Sequence, residues 1–571
     1  NLQRSVSSSI PVVFIFSSTL MKAVAARTVM LFIANAVLLS PPVAAKTFLA
    51  LEPGLPSVPH LLEELERVLG REHRDEVESR GRRLEEIMRP TFLALPKDES
   101  GNIGLNAARY LLHRIFVQRH GWFVRGLVSS GDSWNSSSPV DAVAMHLQEE
   151  HADLFAEHIQ ESISLHHTAV LAATLEGQVH SETLDRLRSA FRIAGLSSEA
   201  KHEANDVLKA IDTYMLFYVA GLTNHTRATA RLVDAIFGKI DDAYPMWEET
   251  KSWARGVAQE AITGNGGVSF NDSVVNAVEA IADQYGRWQN KECLDLKASM
   301  MKMEENGTGR VPLDVFYQSA LDGQWQFSES KPYLQQLGAL DDSVPSRPSV
   351  IISNYVNGPS NCVAASSFYS VCCIDECESL LAHIEMRVAD PVASPEFIAE
   401  IVANLPSSTV PAPRQISEHH MQLLSDVASQ HGGMVPLHSR LFSQWLHHVY
   451  PRECQFPHLS GTTKPMTARE WKAETGEVST VSSEVMLEHI EVIQKTADIQ
   501  HGEAVQVPWH AEEELFIGRA GLQEGGRSSR SLLRTFVYVA LLVSMAGMIV
   551  RGATTSAEVL RPPTKCAKYM V

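Results

Sequence analysis

What the sequence lacks narrows it first. No long block of like charge and no low-complexity tract occurs in its 571 residues. Basic residues are outnumbered, 49 Lys and Arg against 67 Asp and Glu, for a net charge of -18. A general nucleic-acid binder needs a basic face that displaces phosphate counterions, so the balance argues against that class. There is no G-x-S-x-G elbow, no P-loop, no G-x-G-x-x-G after a strand and no kinase signature set. Enzymes that announce themselves locally are thereby set aside, although a triad gathered from distant residues needs no local motif. Cysteine is scarce, seven in the whole chain, which makes the placement of each one informative.

What is there is an ordinary globular composition, 44% hydrophobic and 20% charged, at a length that suggests two to four domains. Two apolar segments break the pattern. From Met21, a positive stretch with Lys22 and Arg27 precedes "TVMLFIANAVLL" and then small residues in "PPVAA". This is the form of a secretory signal, so residues 1–45 are expected to be a leader and signal peptide. Near the other end, "TFVYVALLVSMAGMIV", Thr535 to Val550, is uncharged and lies between Arg534 and Arg551. At ~1.5 Å per residue it spans roughly 24 Å, and snorkelling arginines can cover the rest of a ~30 Å hydrocarbon core. One transmembrane helix is expected over 532–551, with 552–571 a cytosolic tail. Everything from about 46 to 531 then lies outside the cell or in a lumen, in the secretory pathway.

The cysteines agree with that topology. Cys293, Cys362, Cys372, Cys373, Cys377 and Cys454 fall on the oxidising side, and Cys566 falls alone in the tail. Six allow fifteen pairings, and spacing does not choose among them. The adjacent Cys372 and Cys373 are expected to staple their segment to Cys293 or Cys454. Four glycosylation sequons, at Asn135, Asn224, Asn271 and Asn306, share the same side.

Helical periodicity dominates the region between the apolar segments. Leu61, Leu62, Leu65, Val68 and Leu69 form one stripe. Long helical mixtures follow over 141–175, 184–219 and 226–262. Ser394 and Pro395 open "SPEFIAEIVANL" as N-cap and first helical residue. Thr467 and Glu470 form a capping box. The best short strand is "SVIISNYV" from Ser349. Gly, Pro and Ser clusters near 128–139, 264–272, 341–349 and 405–415 mark breaks. The expected organisation is a helical region over 46–340, a cysteine-bearing helical region over 350–496, and a stalk over 497–531.

"GRVPL" at Gly309 and "GMVPL" at Gly433 are near repeats. Each reads as helix, tight Gly turn, one short extended residue, helix. "GNIGL" at Gly101 and "GQVHS" at Gly177 are looser relatives. "EENGTGRVPLDVF" resembles an EF-hand loop, with Glu304, Asn306 and Thr308 as oxygen donors, Gly309 at the turn and Val311 as the central aliphatic. Position twelve holds Val315 instead of the bidentate carboxylate. Around Gly433 the donor positions hold Ala428, Gln430 and Gly432. The resemblance implies mainly α architecture with degenerate EF-hand-like helix-loop-helix units. Calcium at Glu304, Asn306 and Thr308 is its alternative form.

Two constellations could carry chemistry. "NGPSNCVAASSFYSVCCIDEC" offers Cys362 as a nucleophile, for which His447 is one of several downstream partners; the competing explanation is disulfide bonding of all four cysteines. His447, His448, Cys454 and His458 are zinc-type donors without a C-x-x-C or H-x-x-x-H spacing. His146, His151 and His158 also miss zinc spacing.

"SNYVNGPSNC", "YSVCCIDECESL", "VPLHSRLFSQWLHHVYPREC" and "FPHLSGTTKPMTAREW", together with "ARYLLHRIFVQRHGW" and "IDTYMLFYVAG", resemble an uncharacterised family of predicted secretory-pathway membrane proteins from dinoflagellate-type algae. The resemblance implies one recurring extracytoplasmic architecture and transfers no activity, catalytic residue or cofactor. The resulting expectation is a single-pass membrane glycoprotein with a mainly helical, disulfide-stapled ectodomain. It would bind or scaffold a protein partner or a second copy of itself. A hydrolase using Cys362 and His447, and a calcium-responsive module, are the alternatives.

Overall fold

The near repeats mark the units of construction. In the computed structural model, residues 74–124, 127, 162–222, 224–262, 268–323, 326–363, 366, 369–497 and 507–517 are described. The expected signal peptide, the segment 532–551 and its tail, the stripe from Leu61, the histidines 146 to 158 and Asn135 lie outside them. The described residues all belong to one unit, 58–571.

Helices α1 (Arg74–Ala94) and α2 (Leu105–His120) flank strand β1 (Ile103–Gly104). Strand β2 (Trp122–Val124) follows, then β3 (Ser162–Ile163), α3 (Leu165–Ile193), β4 (Lys201–His202) and α4 (Ala204–Val219). Two short helices, α5 (Ala230–Phe237) and α6 (Ile240–Ala243), lead to α7 (Trp247–Ala261), β5 (Val268–Ser269) and the long α8 (Val275–Met303). Next come β6 (Arg310–Pro312), α9 (Leu313–Leu321), α10 (Lys331–Gln336), β7 (Leu340–Asp341), β8 (Ser349–Ile351) and α11 (Ile352–Val356). The last part holds β9 (Tyr369–Val371), α12 (Glu376–Val388), β10 (Val392–Ala393), α13 (Pro395–Ala403), α14 (Glu418–Gln430), β11 (Val435–Pro436), α15 (Arg440–Val449), α16 (Ala468–Thr475) and α17 (Ser483–Ala497).

The protein is mainly helical, and its strands serve to join helix pairs. Ile103 pairs with Ile163 and His202 with Val268. Val311 pairs with Val350, and Ala393 with Val435. Each pairing is antiparallel and two or three residues long, and links one helix–strand–helix unit to another. The repeat explains itself here. Gly309 and Gly433 hold left-handed backbone at φ 71 and 92. Val311 and Val435 are fully buried in the strand pairing, and Leu313 and Leu437 are fully buried just beyond. At Gly309 the glycine is also forced by packing, because a Cβ there would lie 2.4 Å from the Pro451 carbonyl oxygen. "GNIGL" behaves the same way, with Gly101 at φ 79 and Ile103 buried. "GQVHS" does not: Gly177 lies inside α3, where apolar residues on both sides continue one helical face.

The caps are local and match their sequence signals. Ser164, Ser394, Ser417 and Ser439 each accept the backbone N–H three residues on. The Thr467–Glu470 capping box is formed in both directions. Several expected elements are cut differently; the mixture over 226–262 is the three helices α5, α6 and α7. The mixture over 184–219 is two helices, because Gly195 at φ 70 ends the first and β4 intervenes. "SVIISNYV" is strand only to Ile351, after which Ile352–Val356 is helical.

Packing forms three apolar clusters. One spans Leu84 to Tyr285, a second joins Cys293–Val356 with Met466–Ile493, and a third covers Leu380–Cys454 with Ala94. The expected division near 340–350 therefore falls inside the second cluster, since α8 runs out of the first and supplies Cys293, Leu296 and Met300 to the second. Within the expected stalk, residues 507–517 are held against the body. Arg440 donates to the Glu512 and His510 carbonyls, and Ser439 bridges to Leu515.

Helix α8 crosses the end of α2 at Gly286, where a Cβ would stand 1.9 Å from the His120 carbonyl oxygen. Gly286→Ala is expected to push the two helices apart and cost about 1–3 kcal/mol, the usual penalty of overpacking. A denaturation midpoint equal to wild type would contradict that contact.

Candidate functional site

The six cysteines come to disulfide distance in three pairs: Cys293–Cys373, Cys362–Cys372 and Cys377–Cys454. Cys373 reaches Cys293 as expected of the adjacent pair. Cys372 goes instead to Cys362, because the antiparallel bridge between Val363 and Val371 sets the residues beside them opposite each other. Cys362 and His447 are engaged elsewhere. A bridged sulfur is not a thiolate, and His447 faces the Cys454 carbonyl at 2.7 Å through Nδ1 and Arg310 at 3.1 Å through Nε2. Burial, with Arg310 beside it, holds His447 well below the ordinary histidine range. His448 faces the Pro508 carbonyl, His458 that of Gly338, and Cys454 faces Cys377, so the zinc-type donors are spent separately.

In the loop at 304–309, Glu304 Oε1 accepts the Gly309 N–H at 2.6 Å, which closes the turn. Its other oxygen accepts Nε of Arg452 at 2.7 Å. This carboxylate is thus matched by a guanidinium from 148 residues away. Asn306 is exposed, at φ 54, and the Thr308 hydroxyl donates to the Glu305 carbonyl. Among the described residues no group of three or more His, Cys, Asp or Glu is placed to hold a metal ion. Asn224 and Asn306 are exposed sequons, and Asn271 lies in the π-helical turn before α8.

Two buried polar networks tie distant segments together. Arg114 on α2 pairs with Glu385 on α12, which also meets His438 at 2.8 Å and the Tyr110 hydroxyl at 3.3 Å. Burial would raise the Glu385 carboxyl, but Arg114 and His438 outweigh it and hold it below its ordinary value. Lys297 joins Glu376 and Glu453, and Glu453 also accepts from Ser407, Ser408 and Thr409. The Lys297 network borders a pocket of only about 10 Å³.

One opening with convergent polar groups is a cleft of about 330 Å³ among α1, α2, α3 and α8. His120 and Trp122 stack at its base, with ring centroids 4.0 Å apart. His120 Nε2 lies 3.3 Å from Glu176, and Nδ1 lies 3.6 Å from Asp283. His180 pairs with Glu279 at 2.8 Å, and Arg119 lies 3.6 Å from Glu176. These residues come from three helices and strand β2 and escaped the sequence reading. The signal was faint: His120 and Trp122 close "ARYLLHRIFVQRHGW", where a polar pair interrupts an apolar helix at its glycine stop. The chain matches no family model, no curated protein and no solved structure.

Proposed function

We propose that the chain is a single-pass membrane protein of the secretory pathway whose helical body, held by disulfides outside the cytosol, binds or scaffolds a partner. The observation that carries this reading is the pairing of all six cysteines on one side of the apolar segment Thr535–Val550. Two of those pairs span 80 and 77 residues. Structural bridges of this kind belong chiefly to oxidising compartments. Alkylation of the native protein without reductant, followed by peptide mass mapping, should recover the three cross-linked pairs and one free thiol, Cys566. Free thiols at Cys293, Cys373, Cys377 and Cys454 would remove the reading.

The paired helix–strand–helix units are, on this reading, EF-hand-like frames used for packing. Arg452 supplies at Glu304 the positive charge that an ion would bring, and Val315 stands where a bidentate carboxylate would close the site. Calorimetric titration of the full chain with calcium should give no binding heat and no change in melting temperature. A dissociation constant within the ~10⁻⁷–10⁻³ M span of sensor and extracellular sites would restore the calcium-responsive alternative. The catalytic alternative requires the Cys362–Cys372 pair to open and His447 to leave the Cys454 carbonyl. A Cys362→Ser, Cys372→Ser variant separates the two, since a binding module keeps its partner while a cysteine hydrolase loses all turnover.

A further inference from the structure

Residues 507–517 lie in a groove that holds them as an extended peptide. They form no helix, and their one strand contact is the bridge from Leu515 to Ser439. Only Ile517 among them is buried; the rest are half-buried or exposed. The groove side is the opposite: His438, Ser439, Arg440 and Leu441, where α15 begins, are all buried. The body supplies the built surface, and the segment is laid on it.

Main-chain contacts come first. Arg440 spans two alternate carbonyls, with Nε donating to that of Glu512 and Nη2 to that of His510, each at 2.7 Å. Carbonyls two residues apart point to one side of an extended chain, so this grip does not depend on side chains. Edge pairing continues it: the Arg440 N–H donates to the Glu514 carbonyl, and the Phe516 N–H to that of His438. Side chains then select. Glu513 accepts the Leu441 N–H at 3.0 Å in the first turn of α15, and its other oxygen meets His431 at 2.8 Å. A carboxylate there also answers the positive end of the helix. Glu514 accepts the Ser460 N–H at 3.0 Å. Trp509 sets its ring edge-on to His448, with centroids 5.4 Å apart.

We propose that this groove binds an extended acidic segment of a protein partner, with an aromatic residue four positions before a glutamate, and that residues 507–517 fill it in cis as a tethered occupant. The assignment rests on the reading of the body as a binding module, and names the site and the chemistry of its partner. Departure of the segment takes the His510 and Glu512 carbonyls from Arg440 and leaves it Gln444 and the Pro457 carbonyl. A second segment offering the same two carbonyls restores what was lost. A neutral or basic peptide lacks the group that Glu513 presents to His431 and Leu441. The tethered copy competes at the roughly millimolar effective concentration of a short linker, so a partner must outcompete it.

The test titrates a fluorescent peptide of the 507–517 sequence into the full-length protein and follows anisotropy. Wild type should bind it weakly, because its own segment competes. Full-length protein carrying Trp509→Ala and Glu513→Ala should bind about tenfold or more tightly. Against this opened protein, a peptide with the same two replacements, or a scrambled one, should lose about tenfold or more, as loss of a charge-assisted contact implies. His431→Ala in the opened protein should shrink the advantage that Glu513 gives the peptide. No binding by the opened protein at millimolar peptide, or equal binding of the scrambled peptide, overturns the proposal. So does a concentration-dependent dimer of wild type that the opened protein loses, which would make a second copy the occupant. If the double substitution prevents folding, hydrogen exchange of wild type decides. Excess peptide should speed exchange of the Phe516 amide while the amides within α15 hold, and a Phe516 amide unmoved by peptide overturns the proposal. None of these results touches the disulfide map, so failure here is distinguishable from failure of the proposed function.

Discussion

Glu385→Gln is expected to cost about 3 kcal/mol, the low end for a broken buried pair, because it takes the nearer carboxylate from the buried Arg114 guanidinium and leaves it only Glu378, at 3.1 Å. Glu385 is fully buried and Arg114 nearly so. The substitution keeps size and shape, so the loss measures charge and not a cavity. Glu385 is the hub of its network, holding Arg114, Tyr110 and His438 at once. Of these partners, Arg114 and Tyr110 come from α2, whereas His438 precedes α15. The loss should therefore appear as parting of the N-terminal helices from α12 and α15, and hydrogen exchange would rise in both.

The pH dependence has a definite sign. The folded-state carboxyl of Glu385 titrates below its unfolded value, so its contribution is fully present above the unfolded pKa and fades as pH falls through the folded one. The gap between wild type and Glu385→Gln should be widest near neutral pH and narrow in acid. Measured by denaturant unfolding, a gap that stays constant from neutral to acid pH would contradict the charge-pair account. A gap below 1 kcal/mol at neutral pH, the scale of an exposed pair, would show that Arg114 reaches water.

The second large effect concerns the Cys293–Cys373 pair. Replacing both with alanine is expected to cost roughly 4.5 kcal/mol by loop-closure entropy for a loop of 80 residues, within the ~2–5 kcal/mol usual for native bridges. The same treatment of Cys362–Cys372, with a separation of 10, gives roughly 2.7 kcal/mol. The order of the two losses is the sharper test, because in the loop-closure account it follows from loop length. Cys293, on α8, and Cys373 both pack in the second apolar cluster, while β9, just before Cys373, packs its Tyr369 and Val371 in the first. Loss of this bridge should loosen the junction between the two clusters. Equal melting temperatures for the two paired variants would show that the unfolded chain is too structured for loop length to matter.

Much of the fold was legible from short stretches. Ser394 with Pro395, and Thr467 with Glu470, define helix starts through bonds that never leave four residues. Gly309 and Gly433 mark turns because left-handed backbone favours glycine. The recurrence of Val-Pro-Leu after each foretold a short extended residue before a helix. Where a reading failed, a nearby residue was outvoted. Gly177 stayed helical because the face around it is buried in α3, and the helix over 184–219 broke because Gly195 ends one stretch before β4 can pair.

The site was far less legible. Nothing local marks Arg452 as the partner of Glu304, or joins Arg80, His120, Glu176 and Asp283 around one cleft. The pairing of Cys372 with its near neighbour Cys362 followed from a strand bridge that sequence spacing does not display.

By itself the sequence determined the mainly helical character, the caps, the glycine turns and the set of cysteines available to pair, since each of these is a property of a few adjacent residues. Only the tertiary structure decided which two-residue strands meet, which sulfurs face each other and which charges line the cleft. Those choices rest on contacts between residues tens to hundreds apart, where the cost of closing a chain changes only slowly with length, so that many partners are nearly equal until the three apolar clusters pack and select one.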